Sequence, residues 1–136
     1  MANNLLTIDV KVMPDVVPGV TDQASRIINQ VGNGIVAEMK RIMALPKTGR
    51  TYRKKGGVLH VASAPGQPPA MDTGNLTNSI NMQMISPLQG RVSINAEYAA
   101  YLEYGTVRMA ARPYLQPAID QTRQDFLAAG ILRSAR

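Results

Sequence analysis

Hydrophobic and polar positions change period several times along this chain, and each change predicts an element. Leu6, Ile8, Val10 and Val12 alternate with Thr7, Asp9 and Lys11, the period of two that marks a strand with one buried face. Pro14 ends that strand. After the turn-like PDVVPG, apolar residues at Val20, Ile27, Ile28, Val31, Ile35, Val36, Met39, Ile42 and Met43 recur at helical spacing, and Pro46 stops the helix after Leu45. Gly32 and Gly34 each cost an exposed helix interior about 1 kcal/mol relative to Ala, so they mark a bend or the close approach of a neighbour. Farther on, Ile80, Met82 and Met84 alternate with polar residues, SPLQG makes a turn, and Val92 and Ile94 alternate beyond it. Residues 79–95 therefore read as a β-hairpin, expected to be the central pair of a sheet.

Residues 97–104 (EYAAYLEY) are long enough for two helical turns, with Gly105 as the left-handed residue that closes them. Pro117 suits the first position of a last helix, whose stripe of Ala118, Ile119, Thr122, Phe126 and Leu127 runs towards Gly130. The element order predicts an α+β fold: a small antiparallel sheet with a long N-terminal-half helix and a C-terminal helix packed on one face. With 136 residues, 45% of them hydrophobic, residues 1–136 are expected to form one domain around one core. No internal repeat is present.

One region departs from these periods. From Lys47 to Thr73 the chain is basic and glycine-rich (KTGRTYRKKGG), then carries a short strand signal (VLHVAS), then is dense in Pro and Gly (APGQPPAMDTG). A loop of this length inside a small domain is usually functional or mobile. The expectation is an extended hairpin arm over about 47–72, ordered mainly by contact with something else.

Composition limits the chemistry. The chain has no cysteine and one histidine, which removes disulfide frameworks, thiolate zinc sites, Cys nucleophiles and multi-histidine metal centres. His60 alternates with Val58 and Ala62 as a packed or surface strand residue would. Glu97 and Glu103 are six apart, a spacing that does not bring two carboxylates together on a helix. The stretches KTGR, KKGG and APGQPP fit neither common phosphate-cradling glycine motif. No catalytic residue, cofactor site or metal site follows from the sequence. No apolar run approaches the roughly 20 residues needed to cross a bilayer, and MANNLLTIDVKV lacks a basic leader, so a soluble chain made in the cytoplasm is expected.

Fifteen Lys and Arg against nine Asp and Glu give a net charge of +6, which suits an anionic partner or a solvated surface. The basic residues Lys47, Arg50, Arg53, Lys54 and Lys55 fall together without an acid among them, so they are candidates for contact with a nucleic-acid backbone or with another subunit. Tyr98, Tyr101 and Tyr104, three apart on a short helix, share a face that suits core packing or subunit contact.

Two blocks carry a resemblance: HVASAPGQPPAMDTGNLTNSI at 60–80 and AEYAAYLEYGTVRMAARPYLQPAI at 96–119. Together they resemble the signature of the small tail-completion, or head-tail joining, proteins of long-tailed bacteriophages, often described as minor tail components. In that family a Ser-x-Pro-Gly-x-Pro-Pro segment leads into Asp-Thr-Gly-x-Leu, matched here by Ser63, Pro65, Gly66, Pro68, Pro69, Asp72, Thr73, Gly74 and Leu76. A Tyr-x-x-x-Glu-Tyr-Gly-Thr segment then leads into Ala-Arg-Pro-Phe-Leu-x-Pro-Ala. Glu103, Tyr104, Gly105, Thr106, Ala111, Arg112, Pro113, Leu115, Pro117 and Ala118 match it, and Tyr114 stands where Phe is commoner. The blocks cover about a third of the chain.

The resemblance implies a structural virion protein of the neck or tail, synthesised in the host cytoplasm, with no reaction of its own. It implies a homo-oligomeric ring around the DNA channel, about six copies being favoured and twelve the alternative. Its partners would be a tail terminator, a stopper or adaptor, the tail tube, and genomic DNA held without sequence preference, with no membrane. Tyr101, Glu103, Tyr104, Gly105, Thr106, Arg112, Pro113 and Tyr114 then become candidate subunit-interface residues. Glu103 and Arg112 are expected to flank one connection and to pair with each other or with the next subunit. The alternative is a small basic DNA-binding protein acting outside a particle; an enzyme is a third and more remote reading.

Overall fold

The computed structural model describes residues 6–11, 21–53, 56–57, 59–70 and 74–130. The expected turn at PDVVPG, Lys54, Lys55, Val58, Asp72, Thr73 and the tail after Gly130 lie outside the described residues. The fold is α+β, with a three-stranded antiparallel sheet and helices packed on it. Its elements are β1 (Leu6–Lys11), α1 (Thr21–Ala44), β2 (Thr51–Arg53), β3 (Leu59–Val61), α2 (Asn75–Asn78), β4 (Ile80–Ser86), β5 (Gln89–Ile94), α3 (Ala99–Tyr104) and α4 (Leu115–Ala128).

The sheet runs in the order β1-β5-β4. The predicted hairpin is present, but it is not a central pair: β1 takes the far side of β5, so β5 alone is central and β4 is an edge. Along β5, Gly90, Val92 and Ile94 are buried in strict alternation, and each stands opposite an apolar residue of both β1 and β4. Leu6, Ile94 and Ile80 make one cross-strand row, Ile8, Val92 and Met82 the next, and Val10, Gly90 and Met84 the third. Rows of this kind are the unit in which a sheet stabilises itself. On the other face Arg91 reaches across to Asp9, with Nε 2.8 Å from Oδ1. That bond holds the Asp9 carboxyl below its ordinary range.

The apolar rows are covered by α1, which buries Ala24, Ile28, Val31, Ile35, Met39, Ile42 and Met43, a stripe at the predicted spacing. Two glycines bring this helix close to the sheet. A Cβ on Gly32 would come within 2.5 Å of the Met82 sulfur, and one on Gly90 within 2.6 Å of the Met82 methyl and 2.9 Å of Ile28 Cγ2. Met82 thus fits between a glycine of the helix and a glycine of the central strand. Gly34 serves a different neighbour, since a Cβ there would stand 3.2 Å from Thr122 and Phe126 of α4. Of the two roles expected for Gly32 and Gly34, the structure shows close approach, once to the sheet and once to the last helix.

The 47–72 region contains the expected hairpin as a two-stranded ribbon of β2 and β3. Its base is closed by Gly49 N to Ala62 O and Ala62 N to Arg50 O, both 2.9 Å. Gln67 bridges the two limbs by accepting from the Thr48 and Ala64 amides and donating to the Thr48 hydroxyl. The single turn of α2, which periodicity does not reveal, then leads from Gly74 into β4.

The close packing around Met82 has a direct test. Gly90→Ala pushes a methyl into Met82 and the stiff, buried Ile28 side chain, and such overpacking costs about 1–3 kcal/mol. A urea midpoint that does not move in this variant would show that the helix is not seated on β5 as described.

Candidate assembly corner and basic ribbon

The corner between α3 and α4 begins with a deficit. The first four N–H groups of a helix have no partner inside it, and for α4 these belong to Tyr114, Leu115, Gln116 and position 117. Glu103, the fifth residue of α3, reaches across. Its Oε2 accepts from Tyr114 N at 2.8 Å and Leu115 N at 2.9 Å, and its Oε1 accepts from Gln116 N at 2.9 Å. The fourth residue is Pro117, which has no N–H to satisfy. One carboxylate and one proline therefore settle the whole helix start, and the negative charge also faces the positive end of the helix dipole.

This arrangement corrects two expectations. Pro117 is the third residue of α4 rather than the first, because the side chain of Glu103 draws the chain into the helix two residues sooner. Glu103 is buried, with 6% of its surface exposed, so it does not lie on a surface where a neighbouring subunit could reach it. Nor does it pair with Arg112. The Arg112 guanidinium donates through Nη1 to the Ser63 carbonyl and, at 2.5 Å, to the Ser63 hydroxyl, while its own amide donates to Leu102 O at 2.6 Å. Among the described residues no ion pair joins Glu103 and Arg112.

Tyr114 is fully buried and donates its hydroxyl to Ala99 O at 3.0 Å. Burial, and then the nearby Glu103 carboxylate, raise its pKa well above the usual phenol value, so the hydroxyl stays protonated and remains a donor. Tyr114 is thus an internal tie between α4 and the start of α3, not an interface residue. Gly105 follows α3 at φ 75°, ψ 176°. The positive φ was expected, but the extended ψ is not the left-handed helical value; it lies in a region essentially reserved for glycine. A Cβ there would meet Met109 O and Ala111 N at 2.8 Å. Beyond it, Thr106 and Met109 form a narrow bridged turn with Val107 and Arg108 at its tip.

Of the proposed interface residues, Tyr101, Tyr104 and Thr106 are exposed, and Tyr98 and Val107 join them. Val107 escaped sequence reasoning because nothing in its spacing shows that it sits on a turn tip. The two motif-bearing segments, separated by the fifteen residues 81–95, meet here. Arg112 holds Ser63, and Gly66 N donates to Ala111 O at 3.0 Å. Between them lies a cavity of about 360 Å³ bordered by Ser63, Leu76, Thr77, Leu102, Met109 and Arg112.

The basic cluster divides. Lys47 turns back to α1, with Nζ 2.6 Å from the Ile42 carbonyl, and caps the negative end of that helix; partial burial lowers its pKa. Its charge is thus committed to the end of α1. Arg50 and Arg53 are exposed on the ribbon, and Lys54 and Lys55 lie outside the described residues. No group of three His, Asp or Glu among the described residues could hold a metal ion, and no described helix is long and apolar enough to cross a membrane.

Comparison with protein-family models, with curated proteins and with solved structures finds no match.

The corner predicts its own stability test. Glu103→Ala leaves three amides without an acceptor in a largely buried site and should cost about 3 kcal/mol, whereas Glu103→Gln keeps one oxygen and should cost about half of that. Thermal unfolding of the two variants measures both values. Equal and negligible shifts would mean that the cap contributes nothing.

Proposed function

We propose that this chain is a structural protein of a tailed-phage virion, acting in tail completion or head-tail joining as a ring around the DNA channel. The observation that carries this reading is the convergence of the two family-like segments on one corner. The residues that resemble the signature do structural work there: Glu103 and Pro117 start α4, Gly105 makes a bend only glycine permits, and Arg112 fastens Ser63. A signature whose residues interlock in three dimensions is better support than two unconnected matches. The chemistry of the site agrees with this role, since Glu103 and Arg112 are engaged in holding backbone.

The exposed Arg50 and Arg53 favour a second reading, a small basic protein that binds DNA outside a particle. Mass measurement separates the two. Native mass spectrometry of the full chain is expected to show closed oligomers of about six or twelve copies, alone or on addition of neck and tail proteins. A strictly monomeric species that binds duplex DNA tightly at moderate salt, and is absent from virions, would overturn the neck reading.

The ribbon makes a separate prediction. Replacing Arg50, Arg53, Lys54 and Lys55 together with Ser should lower infectious yield, while the changes at the exposed Arg50 and Arg53 shift stability by less than about 0.5 kcal/mol each. Normal assembly and infectivity in that variant would remove the ribbon from any role in the channel or the joint.

A further inference from the structure

Two exposed surfaces of the chain are complementary in kind. The register of the ribbon pairs Thr51 with Val61 and Arg53 with Leu59, and directly opposed residues point to the same side. Thr51, Arg53, Leu59 and Val61 therefore share one face, and all four are exposed, Leu59 by 63%. The other face turns inward, where His60 borders cavities shared with Met43. A two-stranded ribbon with three residues per strand is marginal in water unless its apolar face is covered.

The second surface is the outer side of α3. Tyr101 and Tyr104 of α3 are exposed, as is Tyr98 just before it at the edge of the cavity, and Val107 on its turn is fully in solvent. The buried Glu103 cap and the Tyr114 tie hold this face in place from behind. Few rotamers need to be frozen when it is covered, which is why rigid tyrosines make good anchors. Arg50 and Arg53 are exposed on the ribbon, and the exposed acid Glu97 immediately precedes the tyrosine-bearing segment in the chain. Arg108, exposed at the turn tip, is a like charge and belongs at the rim.

We infer that the outward face of the β2–β3 ribbon docks on the tyrosine face of α3 of a second copy of this chain, in a head-to-tail contact. Within one chain both faces remain exposed, so they do not cover each other. Leu59 and Val61 would lie against the tyrosine rings, and Arg53 would stack over one of them, a cation–π arrangement common where Arg meets Tyr. Because the contact joins two different surfaces, it repeats from copy to copy, and it closes into a ring where the rotation between successive copies divides a full turn. The inference rests on the ring reading above and supplies the surfaces that make it.

Two variants at exposed positions test it, Leu59→Asp on the ribbon and Tyr104→Asp on α3, with circular dichroism to establish that each is folded and the milder Leu59→Ser and Tyr104→Ser in reserve. Each variant alone should lose the wild-type ring in native mass spectrometry. Mixed in equal amounts, the two should give a one-to-one dimer and nothing larger. The intact α3 face of one takes the intact ribbon of the other, and the remaining ends carry two aspartates. Rings of wild-type mass from either folded variant, or a mixture that stays monomeric while the wild type forms rings, would overturn this contact and leave the ring reading standing. A wild-type chain that remains monomeric, alone and with phage neighbours, would overturn both.

Discussion

The carboxylate of Glu103 is the group on which the rest of this structure depends. A helix start leaves backbone amides without partners, and a buried amide without a partner costs as much as a lost hydrogen bond. Here the acceptor comes from a different helix, so the start of α4 can exist only where α3 stands. The return tie from Tyr114 to Ala99 fixes the opposite end of the same short helix. Six residues of α3 would not hold their shape alone; bound at both ends to α4, they become a fixed corner.

From that corner the order extends outward along the chain. The last helix packs on α1 at Gly34, and α1 packs on the sheet at Gly32, so the corner is continuous with the core through two close approaches. In the other direction Arg112 fastens the return limb of the hairpin through Ser63. The ribbon is therefore anchored at its root, whereas its outer face is left uncovered.

Much of this was legible in the sequence, and what was not has a physical reason. The long helix, the strand alternations and the stripe of α4 were readable because burial of one face imposes a period that survives in one dimension. The special roles of Gly105 and Pro117 were readable because both residues restrict the backbone locally, although their positions were off by a ψ angle in one case and two residues in the other. The choice of polar partners was not readable. Glu103 was expected to meet Arg112 or a neighbouring subunit, and it caps a helix; Lys47 was expected to face a partner, and it caps another. A charge finds its partner in three dimensions, and the nearest unsatisfied backbone group can win over a distant opposite charge. The placement of β1 beside β5 was likewise hidden, since alternation shows that a strand has a buried face but not which strand it joins.

Amide hydrogen exchange at the start of α4 tests the central claim most directly. N–H groups in the first turn of a helix normally exchange fast, because nothing inside the helix protects them. If Glu103 holds this corner together, the amides of Tyr114, Leu115 and Gln116 exchange as slowly as those of the core strand β5. Free exchange at all three, in an otherwise protected domain, would contradict the account.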